Sequence, residues 1–128
     1  MLCQNHYSEE YIARCQQALQ SQLEAYARLP EVPEFEPLFF NNLVLVLEMY
    51  FMHRGRGQEG KDGNPLNEVR MLAASLLADG KLQLEKSIKY KPENSILKLK
   101  AGDAIRLNRQ SFEELAAAYF AEVRRKFK

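Results

Sequence analysis

The chain has 128 residues, of which 46% are hydrophobic and 27% are charged, and its formal net charge is +1. This length fits one domain, residues 1–128, and the composition is that of a soluble globular protein rather than a disordered or membrane protein. Cys3 and Cys15 follow no charged and then apolar leader, so the sequence predicts a reduced, cytoplasmic protein rather than a secreted, disulfide-bonded one.

The charges are distributed unevenly along the chain. Residues 1–50 carry two arginines against seven acidic side chains, whereas residues 81–110 carry eight lysines or arginines against three acidic ones. This polarity could orient an anionic partner toward the C-terminal half, or it could let the two halves attract each other. Solvated charged faces are the commoner case in folded proteins.

The first predicted helix begins after Ser8, which can cap it, and Glu9 and Glu10 follow where the helix dipole favours acids. Apolar residues then recur at steps of three and four, which predicts a surface helix with one buried face. These residues are Tyr11, Ile12, Cys15, Leu19, Leu23 and Tyr26. Three prolines in residues 29–37, LPEVPEFEP, predict an extended connector after this helix.

A nearly continuous apolar run, LFFNNLVLVLEMYFMH, occupies residues 38–53. Its length favours a helix over a strand, and it is shorter than the roughly 20 apolar residues of a membrane span. Because it is apolar on all sides, we expect it in the middle of the core. Glu48 would then need a structural ion pair, most simply with an arginine. A second copy of the chain in a homodimer could also complete its burial.

A third long helix is predicted from Asn64 and Pro65, a capping side chain and a first-turn proline, to a left-handed stop at Gly80. Its predicted buried face consists of Leu66, Val69, Leu72, Ala73, Leu76 and Leu77. Residues 81–109 mix short alternating stretches with turn signals, which predicts short strands or irregular turns.

The last predicted helix has the capping-box spacing of Ser111 and Glu114 at its start and basic residues at its end. Its predicted buried face consists of Phe112, Leu115, Ala116, Tyr119, Phe120, Val123 and Phe127. The four helices together predict a mainly α fold, a compact four-helix bundle-like domain with a short irregular or β-hairpin insert before the last helix.

The candidate site is the glycine-rich segment HRGRGQEGKDGNPLNEVR, residues 53–70. Gly55, Gly57 and Gly60 match the dinucleotide fingerprint, but its helix should begin within the glycines, and here it is delayed until Pro65. The segment also nearly matches a P-loop, except that Asp62 stands where serine or threonine would hold magnesium. We therefore expect neither nucleotide site.

What remains is a cluster of donors and acceptors beside a helix start, where an anion could bind. The candidate residues are His53, Arg54, Arg56, Lys61, Asp62, Asn64, Asn67, Glu68 and Arg70. The alternative interpretation is structural: Asn64 caps its helix, Glu59 and Asp62 pair with the arginines, and one arginine neutralises Glu48.

Two functions follow from this cluster. The first is a binding or interaction module that uses residues 54–70 for an anionic ligand or a protein partner. The alternative is a small enzyme with His53, Asp62 or Glu68 as acid or base. We expect no cofactor and no metal, because Cys3, His6 and Cys15 lack a fourth ligand.

Nucleic acid is a further possible partner, although the sequence supports it poorly. Tyr90 lies among Lys86, Lys89 and Lys91, which combines basic and aromatic character. One aromatic residue is too few for a base-stacking platform.

Three stretches resemble a family of small bacterial proteins of uncharacterised function. They are HRGRGQEGKDGNPLNEVR, IKYKPENS and LKAGDAIRLNRQSFEELAAAYFAE. The resemblance covers roughly residues 43–127 and leaves the first helix out. It implies no particular activity.

Overall fold

The computed structural model describes residues 6–51 and 56–127, and of Arg56 and Gly57 only the backbone. Its helices are α1 (Glu9–Ala27), α2 (Phe35–Tyr50), the single turn α3 (Arg56–Glu59), α4 (Pro65–Leu77) and α5 (Arg109–Phe127). The described residues form no strand, and four of these helices are long. The predicted mainly α, compact four-helix bundle-like fold is therefore confirmed.

The core lies between the long helices. α4 contacts both α2 and α5, and α1 packs against α5. The apolar spacing predicted the buried face of α5 residue for residue, and on α1 only Tyr11 and Tyr26 are half-buried rather than buried. Hydrophobic periodicity is a reliable signal here because both helices are amphipathic.

The prediction that the apolar run is buried on all sides is wrong. α2 buries one face, formed by Phe40, Leu43, Val44 and Leu47. On the opposite face Leu38 is 70% exposed and Met49 is 66% exposed. α2 packs with its buried face against α4 and α5, and α5 is the helix that contacts α1, α2 and α4. Composition alone could not reveal this, because an apolar run has no polar face to mark its solvent side.

The start of α2 and the burial of Leu77 differ from prediction. α2 begins at Phe35, so Pro37 lies in a helix rather than in the connector; proline is tolerated there because first-turn N–H groups need no helical partner. Leu77 was predicted to be buried, yet it is 77% exposed, because it is the last residue of α4.

α5 also begins earlier than predicted. The Ser111 N–H donates to Asn108 Oδ1 (2.8 Å), and the Asn108 N–H donates to Ser111 Oγ (3.0 Å). These two bonds form a reciprocal cap on Asn108, so the box lies at Asn108 and Ser111 rather than at Ser111 and Glu114.

The insert, residues 81–109, is irregular up to the start of α5. One isolated antiparallel bridge joins Lys81 to Ala104, and a short 3₁₀ helix spans Pro92–Asn94. The predicted left-handed stop at Gly80 is confirmed by its φ of +77°. None of the described helices is long and apolar enough to cross a membrane.

Candidate functional site

Only part of the predicted site can be placed. His53 and Arg54 lie outside the described residues, and Arg56 is described only as backbone at the start of α3. That turn was not predicted, since the segment before Asn64 was expected to be a connector. α2, which precedes the glycines, is a helix, so the strand that a dinucleotide fingerprint requires is missing there.

Asn64 and Asn67 form the N-terminal cap of α4. Asn64 Oδ1 accepts from the N–H groups of Leu66 (2.9 Å) and Asn67 (3.1 Å). Asn67 Oδ1 in turn accepts from the N–H groups of Gly63 (3.0 Å) and Asn64 (3.3 Å). The predicted cap is confirmed. The cap therefore engages the backbone N–H groups at the helix start that could otherwise have bound an anion.

Glu59 occupies the centre of the segment and is only 2% exposed. Its Oε2 accepts from Arg70 Nε (2.9 Å) and Asn67 Nδ2 (2.8 Å), and it lies 2.8 Å from Arg70 Nη2. The arginine and the carboxylate neutralise each other where a lone charge would be costly. Arg70 therefore serves as the partner of Glu59. Its Nη2 also lies 3.5 Å from Glu85 Oε2.

The backbone beside Glu59 is held by two further side chains. The Glu59 carbonyl oxygen accepts from Asn64 Nδ2 (2.7 Å) and from Lys126 Nζ (2.7 Å), which reaches it from α5. Glu48, the predicted partner of an arginine, lies half-buried on α2. Its pairing with an arginine stays a prediction.

Asp62 is exposed and accepts from Asn64 Nδ2 at 2.7 Å. This hydrogen bond, assisted by the charge of Lys126, lowers the pKa of the Asp62 carboxyl. Asp62 is consequently ionised at neutral pH. A carboxylate of this kind repels an anion and is a poor proton donor.

Glu68 points away from the segment and toward the insert. Its two carboxylate oxygens accept from the N–H groups of Ile96 (2.9 Å) and Leu97 (3.0 Å). Burial raises the pKa of Glu68 and outweighs the opposing effect of those donors and of Lys98. With 3% of its surface exposed, Glu68 fastens the insert to α4 and is closed to a substrate.

Lys61 is the candidate cation that faces solvent. Its carbonyl oxygen accepts from the Lys89 N–H at 2.8 Å, which joins the segment to the insert. Gly63 makes the approach possible: its φ is +87°, and a Cβ there would lie 2.6 Å from the Lys89 carbonyl oxygen. Lys61 is thereby brought beside lysines that are distant in sequence.

We define the cationic face as Lys61, Lys86, Lys89 and Lys91. All four side chains are exposed, and none forms an ion pair with a carboxylate within residues 6–51 and 56–127. Arg124 and Arg125 on α5, by contrast, pair with Glu9 and Glu122. Sequence reasoning found Lys61 and the lysines of the insert separately, because no local signal predicts their contact.

Tyr90 is the aromatic residue among the lysines of the insert. It is half-buried, and its hydroxyl donates to the Leu99 carbonyl oxygen and contacts Ser95 Oγ at 3.1 Å. For metals, the described part of the chain contains no group of three or more histidine, cysteine or acidic side chains that could hold an ion. Cys15 is buried in the core, and Cys3 lies outside the described residues.

Comparisons with known proteins add no family to this geometry. The chain matches no family model, no curated protein and no solved structure significantly. The resemblance to small bacterial proteins therefore stays a prediction.

Proposed function

We propose that this protein is a binding module that holds an anionic partner on its cationic face. The proposal retains the glycine-rich segment as part of the contact surface, through Lys61, and extends that surface onto the insert. It rests on one observation: four exposed lysines without carboxylate partners in the described chain lie where the segment meets the insert, because the Lys61 carbonyl oxygen accepts from the Lys89 N–H.

The interior of the segment is a weaker candidate for the same anion. Asn64 and Asn67 use their side chains on the cap, and Arg70 is committed to Glu59. An anion placed there would compete with the buried Glu59 carboxylate for Arg70. On the cationic face it would meet exposed ammonium groups and would displace no ion pair.

The charge of the insert supports the same surface. Residues 81–110 carry eight basic and three acidic side chains, a net charge of +5, in a chain whose total is +1. A surface with this local excess of positive charge attracts anions over about 10 Å at moderate salt. Exposed lysines supply charge without fixed geometry, so the partner is recognised mainly as an anion, such as an acidic protein segment or a phosphate-bearing molecule.

The structure favours neither an enzyme nor a nucleic-acid reader over this proposal. Glu68 is enclosed, Asp62 has a lowered pKa, and Tyr90 is a half-buried single aromatic residue, which is too few for a base-stacking platform. We retain the cytoplasm as the proposed location, and the buried free thiol of Cys15 is consistent with it.

Removing two charges from the cationic face tests the proposal. We expect Lys61→Gln/Lys89→Gln to weaken binding of fluorescent inorganic polyphosphate or poly-glutamate roughly 10-fold, since each exposed pair contributes up to about 1 kcal/mol. The loss should shrink as salt is added, and fluorescence anisotropy measures both effects.

The matched control is Arg14→Gln/Arg28→Gln, which removes the same charge from exposed positions of the acidic N-terminal half. It should bind either probe nearly as the wild type does. Equal losses in the two double variants would mean that only net charge matters, and no binding by the wild type would refute the proposal outright.

A further inference from the structure

α2 leaves an apolar surface uncovered on the side that faces away from the core. Leu38 is 70% exposed, Met49 is 66% exposed and Phe35 is 44% exposed. Leu45 and Val46 are half-buried between them. Exposed large apolar side chains gathered on one helix face are typical of an interaction surface.

We call this surface the outer stripe of α2, and its residues are arranged symmetrically about Asn42. An apolar side chain lies three, four and seven residues away from Asn42 in both directions, and these steps return to the same helix face. The pairs are Phe39 and Leu45, Leu38 and Val46, and Phe35 and Met49.

This spacing makes the outer stripe complementary to itself. If two α2 helices cross antiparallel at Asn42, every apolar residue of one stripe meets an apolar residue of the other. A two-fold interface requires this reciprocity, because residue i contacts residue j and residue j contacts residue i. The two Asn42 side chains would meet at the axis, where amides can bond each other and fix the register.

The charges around the stripe agree with the same arrangement. Glu36 is directed toward α5, where its Oε2 accepts from the Arg109 N–H at 3.2 Å. Glu31 and Glu34 are exposed just before α2. An antiparallel crossing keeps these acids of the two chains at opposite ends, whereas a parallel one would bring them together. They also disfavour an anionic membrane surface as the occupant.

We propose that the outer stripe of α2 binds a second copy of this chain through an antiparallel two-fold contact centred on Asn42. The interface is small and formed by one helix from each chain, so its dimer dissociates on dilution. The cationic face takes no part in this interface, so either proposal can be refuted without affecting the other.

The first test is sedimentation velocity across a wide range of protein concentration. The wild type should pass from monomer to dimer, and Leu38→Glu should weaken that association at least 10-fold by placing a charge against the opposing stripe. The matched control is Leu77→Glu on α4, which is 77% exposed and lies outside the stripe, and it should associate like the wild type. Because Leu38 is exposed, its variant should keep the melting temperature that the wild type has at concentrations where it is monomeric.

The second test fixes the register. In a chain with Cys3→Ser, mild oxidation should link Asn42→Cys into a disulfide dimer much faster than Leu77→Cys, since only position 42 lies on the proposed axis. A wild type that stays monomeric, a dimer that tolerates Leu38→Glu, or equal linking rates at the two positions would overturn the proposal. Liposome binding by the monomer that Leu38→Glu abolishes would overturn it too, in favour of a lipid surface.

Discussion

At the scale of single residues, the pair formed by Arg70 and Glu59 is the sharpest test of the structural role of the glycine-rich segment. We expect Arg70→Met to lower the free energy of unfolding by roughly 3–5 kcal/mol, because it removes the guanidinium that lies 2.8 Å from a buried carboxylate oxygen. Urea unfolding followed by circular dichroism measures the change.

The double variant Glu59→Leu/Arg70→Met supplies the control for that prediction. Removing both charges also takes the buried carboxylate away, so the double variant should be more stable than Arg70→Met alone. A loss below about 1 kcal/mol in the single variant would show that the pair is too solvated to matter. Arg70 would then return as a candidate ligand-binding residue.

The raised pKa of Glu68 predicts how the unfolding free energy depends on pH. Its raised pKa means that the folded protein holds this proton more tightly than the unfolded chain does. The resulting stability is complete below the unfolded value of about 4.3 and is lost as pH rises through the higher folded pKa. We therefore expect the wild type to lose unfolding free energy relative to Glu68→Gln as pH rises from about 4 toward neutrality.

Asp62→Asn is the control with the opposite sign. The lowered pKa of Asp62 gives stability that is present above about pH 3.9 and is lost as pH falls through the folded value. Unfolding in urea at a series of pH values compares both variants with the wild type. A flat difference for Glu68→Gln would mean that the Ile96 and Leu97 amides offset its burial fully.

The sequence predicted the roles of residues whose partners are near in the chain. Asn64 was identified as a cap because the N–H groups that donate to its side chain and the helix start lie within three residues. The partners of Glu68 are 28 and 29 residues away, and Lys126 reaches Glu59 across 67 residues. No spacing rule joins such positions, so only the fold shows that Glu68 fastens the insert rather than facing a ligand.

At the scale of elements, the contact between the segment and the insert depends on a glycine. We expect Gly63→Ala to cost roughly 2–4 kcal/mol of unfolding free energy, because a Cβ at positive φ would also collide with the Lys89 carbonyl oxygen. Thermal or urea unfolding of the variant measures this cost.

Gly80→Ala separates the cost of a Cβ at positive φ from the cost of its collision with a neighbouring atom. Gly80 has a similar φ of +77°, but nothing lies within 4 Å of its would-be Cβ, so the substitution should cost only about 1–2 kcal/mol. If the two alanine variants are equally stable, the segment moves off the insert without penalty. The position of Lys61 beside Lys89 would then be weakly held.

The helices also differ in how well the apolar pattern of the sequence predicts which residues are buried. α1 and α5 alternate between apolar and polar faces, so their buried residues could be read from the sequence. α2 has apolar residues on both faces, so its sequence does not indicate which face packs against α4 and α5. The same outer stripe is the surface that we propose for a second copy of the chain.

At the scale of the whole molecule, the fold class was predictable and the position of the cationic face was not. Four long helical stretches with apolar residues leave few ways of burying their surfaces other than a bundle. The lysines of the insert were visible as a basic run, but Lys61 belongs with them only because its carbonyl oxygen bonds the Lys89 N–H. Charge surfaces of this kind are products of tertiary contact.

The most direct test of the central claim, that an anion binds the cationic face rather than the interior of the segment, is a titration of the ¹⁵N-labelled protein with inorganic polyphosphate, followed amide by amide in NMR spectra. We predict that the signals of Lys61, Lys86, Lys89 and Lys91 move progressively while those of α1 stay in place. Shifts centred on Asn64 and Asn67, or no shifts at all, would contradict the claim.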